Sequence, residues 1–404
     1  MSRFNVSTNH PLIPNSQEYM YEQQFISINS EDRDVVKYPN SSDFIIELPQ
    51  DYCNVQGLKL SSWSFPSNLD VFSTLQNNVT MTFRINNPYN PGLFMNPDPL
   101  LNIMFVALYA HINTDFTIVI ESGVYTNSQM ATELTNRFND VVTTYISDYI
   151  SVNAPSLLST FTATGYDQFV ILFNAVGLKL WFGNKSSGFI LTNDSSIYTT
   201  SNICANSRTL PSYTNWGLPA FLGFTRVPAV SQESVNNVYP RFFYGDAIFP
   251  GDGGFWLIPD PAYLGASVYY LEAPFKTNLS GPLFFFMEIA GLNHIDETIP
   301  YSLNEFTAHT NETSGVVKSS FAKILISDFL QRSTWINEIN TLKIYNPPAE
   351  RIRKLKIKMR YHNGDLVDFS NNTYSFSLEF MIFKPQNKKN TKMYTPESIT
   401  NSFN

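Results

Sequence analysis

Two acidic clusters are the places in this chain where residue types and spacing could support acid–base chemistry or metal binding. They are Glu31-Asp32-Arg33-Asp34 and His294-Ile295-Asp296-Glu297. Carboxylates near a histidine can act as general acids and bases, and their hard oxygen atoms suit Ca²⁺. Charged runs at the ends of strands are more often solvated loops. That interpretation is favoured for both clusters, with Arg33 pairing inside its own loop.

Local motifs of the common enzyme classes do not occur in the sequence. There is no GxSxG elbow, no HExxH, no Walker loop and no GxGxxG. No two histidines fall at metal-ligand spacing. The histidines are His10, His111, His294, His309 and His362. The run Pro250-Gly251-Asp252-Gly253-Gly254 indicates a tight turn rather than a phosphate cradle, because no helical pattern follows it. We therefore expect a non-enzymatic chain with no catalytic residue, no cofactor and no metal site.

A row of basic residues is the sharpest local charge feature. Lys354, Lys356, Lys358 and Arg360 alternate with apolar residues, and a period of two places all four on one face of a strand. This row could meet an acidic neighbouring subunit or nucleic acid that lines a shell. It could equally be a solvated strand face, where lysines discourage aggregation between sheet edges.

Strand patterns dominate the elements that must position these residues. Apolar and polar side chains alternate at 43–48, 79–85, 354–361 and 374–382. Asn363-Gly364, between the last two segments, predicts a turn that joins them as an antiparallel hairpin. The runs 283–289 and 321–326 are almost continuously apolar, which is typical of strands covered on both faces.

One helix interrupts this pattern. Thr126 and Gln129 have the spacing of a capping box. The apolar residues that then recur at helical spacing are Met130, Leu134, Phe138, Val141 and Tyr145. A strand at 116–120 precedes the helix, and strands that start at Tyr166 and Leu178 follow it. We therefore predict an inserted α+β subdomain.

The predicted fold class is mainly β, a jelly-roll β-sandwich with this inserted α+β subdomain. Many short strands punctuated by 24 Pro and 18 Gly favour a sandwich over an alternating α/β fold. The predicted divisions are an N-terminal arm at 1–22, the jelly-roll β-sandwich at 23–112 and 205–385, the inserted subdomain at 113–204, and a polar C-terminal tail at 386–404.

Charge is scarce in this chain. Charged residues make up 15% of it, against roughly 25% in an ordinary soluble domain, whereas aromatic residues also reach 15%. The cores of protein interfaces are poor in charge and rich in aromatic residues, so the composition predicts extensive subunit contact. A chain made almost wholly of strands would show a similar bias. The formal net charge of −8 does not suit phosphate neutralisation, and nucleic acid is not the expected partner.

The cysteines and the first residues of the chain indicate its cellular compartment. Cys53 and Cys204 are far apart and have neither metal-ligand nor disulfide-framework spacing, which suits a reducing compartment. The first residues lack the apolar core of a signal peptide, and no stretch approaches about 18 uninterrupted apolar residues. We expect a soluble, intracellular product with no membrane span.

Five blocks of the sequence, taken in order, resemble a known family. They begin with FISINSEDRDVVKYPNSSDFIIELP and NVQGLKLSSWSFPSNLDVF, continue with ESGVYTNSQMATELTNRFN and the LGF of PAFLGFTR, and end with LKIKMRYHNGDLVDFSNNTYSFSLEF. In this order they resemble the minor capsid and penton-type jelly-roll proteins of the nucleocytoplasmic large DNA viruses, over roughly residues 24 to 383.

The resemblance implies a structural virion protein that is assembled into the capsid in the host cytoplasm. Its implied partners are the major capsid protein and other minor capsid proteins, with a homo-oligomer, a pentamer, if it is a penton. Asp32 and Arg33 resemble the family's Asp-Arg pair at a strand end, which would brace the following loop. Gly364 resembles the family's hairpin glycine, where a positive φ is needed.

The alternative function is a receptor- or glycan-binding β-sandwich module on the virion surface. Such modules often present aromatic rings and Asn or Asp loops to sugars. Tyr213 and Trp216 are the rings that the sequence suggests for this role.

Overall fold

The structure of the protein is a computed structural model. The structure describes residues 19–66, 68–192, 217–225, 227–234, 238–245, 253–297, 318–326, 342–362 and 364–385. Every paired strand in these ranges is antiparallel to its partner. The architecture is mainly β with antiparallel sheets, consistent with a β-sandwich of the jelly-roll type, and the predicted mainly β fold class is confirmed.

The elements within the described ranges are as follows. The strands are β1 (Tyr19–Asn29), β2 (Asp43–Ser64), β3 (Thr80–Asn87), β4 (Phe116–Val119), β5 (Phe169–Asn174), β6 (Lys179–Asn184), β7 (Gly188–Leu191), β8 (Ala229–Val230), β9 (Gln232–Glu233), β10 (Tyr269–Glu272), β11 (Phe284–Ile289), β12 (Ile295–Glu297), β13 (Lys318–Ser320), β14 (Ala322–Leu325), β15 (Lys343–Arg360) and β16 (Ser375–Pro385). The helices are α1 (Pro99–Ala110), α2 (Asn127–Asn153), α3 (Leu158–Thr164) and α4 (Leu218–Phe221).

The chain forms two compact units. The first unit comprises the described residues of Met1–Asn68, Leu283–Tyr301 and Gly315–Asn404, and the second comprises those of Leu69–Pro282. The subdomain predicted at 113–204 falls inside the second unit, and that finer division stays a prediction. β1 begins at Tyr19, within the segment predicted as an N-terminal arm. The predicted tail at 386–404 lies outside the described residues.

The first unit is built on a six-stranded sheet in the order β1-β16-β2-β15-β11-β14, with β12 and β13 forming a separate pair. The alternation predicted along β15 is present, since Leu355, Ile357 and Met359 are buried while Lys354 and Lys356 are exposed. A strand with one apolar face is stable in a sheet only when that face is covered.

The prediction of a hairpin across Asn363-Gly364 is wrong. β15 and β16 are not neighbours, because β2 lies between them and is hydrogen-bonded to both. The connection from β15 to β16 contributes aromatic side chains to the core. Phe369 and Tyr374 are buried in it and both contact Phe65. A tight two-residue turn would have left these rings without a place in the core.

The second unit contains two four-stranded sheets, β4-β3-β7-β8 and β5-β6-β10-β9. Helix α2 packs on β4 and on β5, so it contacts one strand of each sheet. The predicted capping box is present: Thr126 Oγ1 accepts from the Gln129 N–H at 3.3 Å, and Gln129 Oε1 accepts from the Thr126 N–H at 2.9 Å. These bonds satisfy donors that the first helical turn cannot pair.

The buried stripe of α2 agrees with the prediction over its first half and then departs from it. Met130, Leu134 and Phe138 are buried as predicted, but the stripe continues through Val142 and Ile146 rather than Val141 and Tyr145. A stripe that advances by four residues drifts slowly around a helix of 3.6 residues per turn.

Helix α1 was missed by the sequence analysis. Its start has a recognisable signal, because the Asp98 side chain accepts from the Leu100 N–H at 2.8 Å and Pro99 occupies the first helical position. The residues that follow are apolar on almost every face, so no helical period is visible. Within the described residues, no helix is long and apolar enough to cross a membrane.

Phenylalanine rings form the core of the second unit. Phe138 of α2 stacks on Phe83 of β3 with ring centroids 4.3 Å apart, and it meets Phe169 of β5 edge-on at 5.2 Å. Phe83 also stacks on Phe116, and Phe169 contacts Phe189. Aromatic pairs in these geometries are favourable beyond the area they bury. One helix ring therefore joins strands of both sheets.

Truncating this ring should destabilise the second unit strongly. We expect Phe138→Ala to lower the free energy of unfolding by about 3–5 kcal/mol, because it removes buried apolar surface and leaves a cavity between two sheets. Urea-induced unfolding followed by circular dichroism would measure the change. The matched control is Asp148→Ala on the exposed face of the same helix, which should change stability by less than about 0.5 kcal/mol. Equal effects of the two substitutions would contradict this account.

Candidate interaction surfaces

Asp32 and Arg33 lie at the end of β1 and hold the loop that follows it. Asp32 Oδ2 accepts from the Asn29 N–H at 2.9 Å, while Asn29 Oδ1 accepts from the Glu31 N–H at 3.1 Å. The Arg33 guanidinium donates to the carbonyl oxygens of Ser30, Tyr38 and Pro39. A planar guanidinium with several donors can connect carbonyl groups that no single backbone turn brings together.

Gly364 occupies the turn that follows β15. Its φ is +101°, which glycine adopts without the steric cost that a Cβ imposes. A Cβ at this position would lie 3.0 Å from Lys318 Nζ. The Gly364 N–H donates to the Tyr361 carbonyl at 3.0 Å, and the Tyr361 N–H donates to the Asp365 carbonyl at 2.8 Å. The turn is therefore closed by backbone bonds.

The lysines of the predicted basic row share one face of β15, and neighbouring strands supply carboxylates to that face. Lys354 Nζ lies 2.7 Å from Glu47 Oε1, and this hydrogen bond lowers the pKa of Glu47. Lys358 is opposite Asp43 on β2 and Glu288 on β11 in the strand register. The row is thus bordered by negative charge instead of standing as an isolated basic stripe.

Arg360 departs from the predicted row because it is buried. Only 1% of the residue is exposed. Its guanidinium binds Glu297 through both terminal nitrogens, with Nη1 3.0 Å from Glu297 Oε2, and its Nε binds Glu288. The guanidinium carbon also lies 5.2 Å from the centre of the Phe286 ring. Two carboxylates hold the positive charge, so the pKa of Arg360 is raised despite burial.

The same cluster corrects the interpretation of the second acidic segment. His294–Glu297 was expected to be a solvated loop, but Glu297 lies in β12 and its side chain is 3% exposed. Burial lowers the pKa of His294, with the charge of Lys343 as a second cause. Among the described residues, no group of three or more His, Cys, Asp or Glu side chains is placed to hold a metal ion.

A surface of aromatic rings, which we call the aromatic patch, lies in the second unit. It consists of Phe243, Phe255 and Arg241. Phe243 is 88% exposed and Phe255 is 54% exposed. The Arg241 guanidinium carbon lies 4.6 Å from the centre of the first ring and 5.7 Å from that of the second. Stacking of a guanidinium on aromatic faces is favourable and leaves its N–H groups free to donate.

Next to the aromatic patch in sequence, Phe242 and Trp256 belong to a cluster of packed rings. Phe242 is buried and lies edge-on to Trp181 at 5.4 Å, and Trp256 contacts both. The Phe242 N–H donates to the Gly254 carbonyl at 2.8 Å. Gly254 has a φ of +55°, and a Cβ there would lie 1.9 Å from the Phe242 carbonyl oxygen. Only glycine permits this approach of the two segments.

The sequence analysis missed this patch. It identified Gly253 and Gly254 as part of a turn, and Pro250–Asp252 lie outside the described residues. The pairing of Arg241 with Phe255 is a single bridge between segments without strand periodicity. The rings suggested for sugar binding, Tyr213 and Trp216, also lie outside the described residues, as does Cys204, whereas Cys53 is an exposed free thiol.

The chain has few detectable similarities to known proteins. No family model matches the chain, and no curated protein matches it. Among solved structures, the crystal structure of selenomethionine-labelled mavirus penton protein is similar with a TM-score of 0.31 and 10% sequence identity, over 90% of this chain and 100% of that one. A likeness this distant carries no argument about this chain.

Removing the buried arginine should be far more costly than removing a lysine from the same strand. We expect Arg360→Met to lower the free energy of unfolding by about 3–5 kcal/mol, because it leaves the buried Glu297 carboxylate without its ion-pair partner. Chemical denaturation would measure the change, with the exposed Lys356→Met as the matched control. The double variant Arg360→Met with Glu297→Leu should recover much of the loss. A single variant as stable as the control would refute this role.

Proposed function

We propose that this chain is a structural protein of a virus particle, a capsid subunit that acts by packing against other subunits of the shell. The observation that carries the proposal is the aromatic patch. Phe243 and Phe255 present apolar faces to solvent beside an arginine, and each adjoins in sequence a ring, Phe242 or Trp256, that packs on other aromatic side chains. Aromatic residues and arginine are the types most enriched where protein interfaces bind tightly.

Composition and fold support the same proposal. Charged residues are only 15% of the chain, and interface cores are depleted of charge. The antiparallel sheets are of the type used by jelly-roll shell proteins. The order of sequence blocks resembles the minor capsid and penton-type proteins of nucleocytoplasmic large DNA viruses. A shell subunit works through shape and buried area, so this proposal includes no catalytic residue and no cofactor.

The finer proposal concerns place and partners. We propose that the chain is a minor capsid or penton component that contacts the major capsid protein and other minor capsid proteins. Its position would be in the virion, after assembly in the host cytoplasm. A penton role would require a pentamer of this chain. Stable contacts of this kind bury roughly 1,200–2,000 Å² or more in total.

The aromatic patch gives the direct test. We expect Phe243→Ser combined with Phe255→Ser to weaken association strongly, because hot-spot rings at interfaces are each worth about 2 kcal/mol or more. Size-exclusion chromatography with light scattering, on the chain alone and with the major capsid protein of the same virus, would measure it. The matched control is Val152→Ser, an exposed apolar side chain of the same unit. A strict monomer that binds no virion protein would overturn the proposed function.

The basic row gives a second test. We predict that reversing Lys354, Lys356 and Lys358 to Glu impairs assembly more than folding, because it adds three negative charges to a face that already carries Glu47 and Asp43. The neutral triple variant to Gln separates loss of positive charge from added repulsion. Circular dichroism reports the fold, and light scattering reports assembly. If assembly is unchanged while the fold is intact, the row is a solvated strand face.

A further inference from the structure

A pocket of about 340 Å³ lies in the second unit, and we call it the aromatic pocket. Its volume falls in the range of sites that bind small molecules, roughly 300–1,000 Å³. Rings line much of its wall: Tyr89, Phe94, Phe105, Tyr109 and Tyr269. Tyr109, in the last turn of α1, is 59% exposed and its hydroxyl makes no hydrogen bond to any described residue. Rings with accessible faces are available to a ligand.

Polar side chains complete the wall. Asn87 Nδ2 donates to the Tyr269 hydroxyl at 2.7 Å, and Glu233 lies opposite Tyr269 in the strand register of β9 and β10. Asn90 Oδ1 accepts from the Gly92 N–H at 3.0 Å, and the Asn90 amide nitrogen makes no bond within the described part of the chain. Ser267 adds a hydroxyl. The pocket therefore offers amide donors, a carboxylate acceptor and hydroxyl groups beside its rings.

The charge of the pocket restricts its ligand. Glu233 is the charged residue among the described residues that line it, and no Lys or Arg is among them. A phosphate, sulfate or carboxylate group would meet a like charge with no compensating cation. A nucleotide, or a sugar acid bound through its acid group, does not fit this wall. A ligand without a negative charge suits this wall better.

The wall is also formed in advance of binding. The Tyr89 hydroxyl donates to the Leu264 carbonyl at 2.9 Å, and Asn96 Nδ2 donates to the Ala262 carbonyl at 3.1 Å. Phe94 lies parallel to Tyr89 with ring centroids 5.7 Å apart. A Cβ at Gly265 would lie 2.3 Å from Phe94 Cδ1, so glycine is required for this packing. A preformed site loses less free energy on binding than one that must order itself.

From these features we infer that the aromatic pocket binds the pyranose ring of a neutral glycan. A pyranose has an apolar C–H face that packs on aromatic rings and an edge of hydroxyls that pair with amides and carboxylates. The contacts required are the Tyr109 ring for the apolar face, and Asn87, Asn90 and Glu233 for the hydroxyls. The inference does not rest on the shell role, since a capsid subunit or an independent binding module could carry the same pocket.

Saturation-transfer NMR with the methyl glycosides of glucose, galactose, mannose and N-acetylglucosamine tests the inference, together with an array of neutral and sialylated glycans. We expect saturation transfer to the ring protons of at least one neutral glycoside. Tyr109→Ala should abolish the signal, and Glu233→Gln should weaken the affinity by about tenfold, as expected for the loss of a charged hydrogen-bond partner. Circular dichroism checks that both variants fold.

Phe243→Ser is the matched control, because it removes an exposed ring of the same unit that does not line the pocket. It should leave glycoside binding unchanged while weakening assembly, and Tyr109→Ala should do the reverse. Failure of one proposal can thus be told from failure of the other. The inference is overturned if no neutral glycoside binds, if only sialylated glycans bind, or if binding persists in both pocket variants. A pocket that accepts an apolar peptide and no sugar also overturns it.

Discussion

The first unit depends on the hydrogen bonds that strand β2 makes along both of its edges. β2 pairs with β15 on one side and with β16 on the other, so residues 43–64 hold together strands that lie about three hundred residues later in the sequence. The second unit is formed from the chain between these pairing segments. Local turns cannot define the strand order of such a sheet, because each strand finds its neighbours by long-range pairing. The apolar faces of β2, β15 and β16 must be covered together, and that shared requirement specifies their register.

Buried charge imposes the second constraint on the first unit. Arg360 ends β15 on the same face as the lysines, yet its guanidinium is enclosed by carboxylates from β11 and β12. Because an unpaired buried charge is far more costly than an exposed one, this cluster specifies where β12 lies against the sheet. Further along the face, Lys354 and Lys358 face carboxylates of adjacent strands in solvent, where such pairs are screened and contribute little to stability. Similar residues in one row therefore have different physical roles.

Much of this fold follows from local patterns, and the parts that do not have identifiable causes. The capping box of Thr126 and Gln129 and the first half of the α2 stripe are readable because a helix repeats its chemistry every few residues. The hairpin at Gly364 was mispredicted because a glycine turn between two alternating segments does not show whether their strands are neighbours. The same pattern is compatible with a third strand lying between them in the sheet. The burial of Arg360 depends on Glu297, a residue distant in sequence. Similarly, Arg241 and Phe255 meet through one isolated bridge, for which no periodic signal exists.

The aromatic patch combines exposed apolar rings with a guanidinium group. The Arg241 guanidinium carbon lies 4.6 Å from the centre of the Phe243 ring and 5.7 Å from that of Phe255, yet Phe243 remains 88% exposed. The neighbouring residues Phe242 and Trp256 stack on each other, so the segments that carry the exposed rings are held by packed aromatic side chains. Desolvating an arginine that already rests on aromatic faces costs less than desolvating an isolated charge.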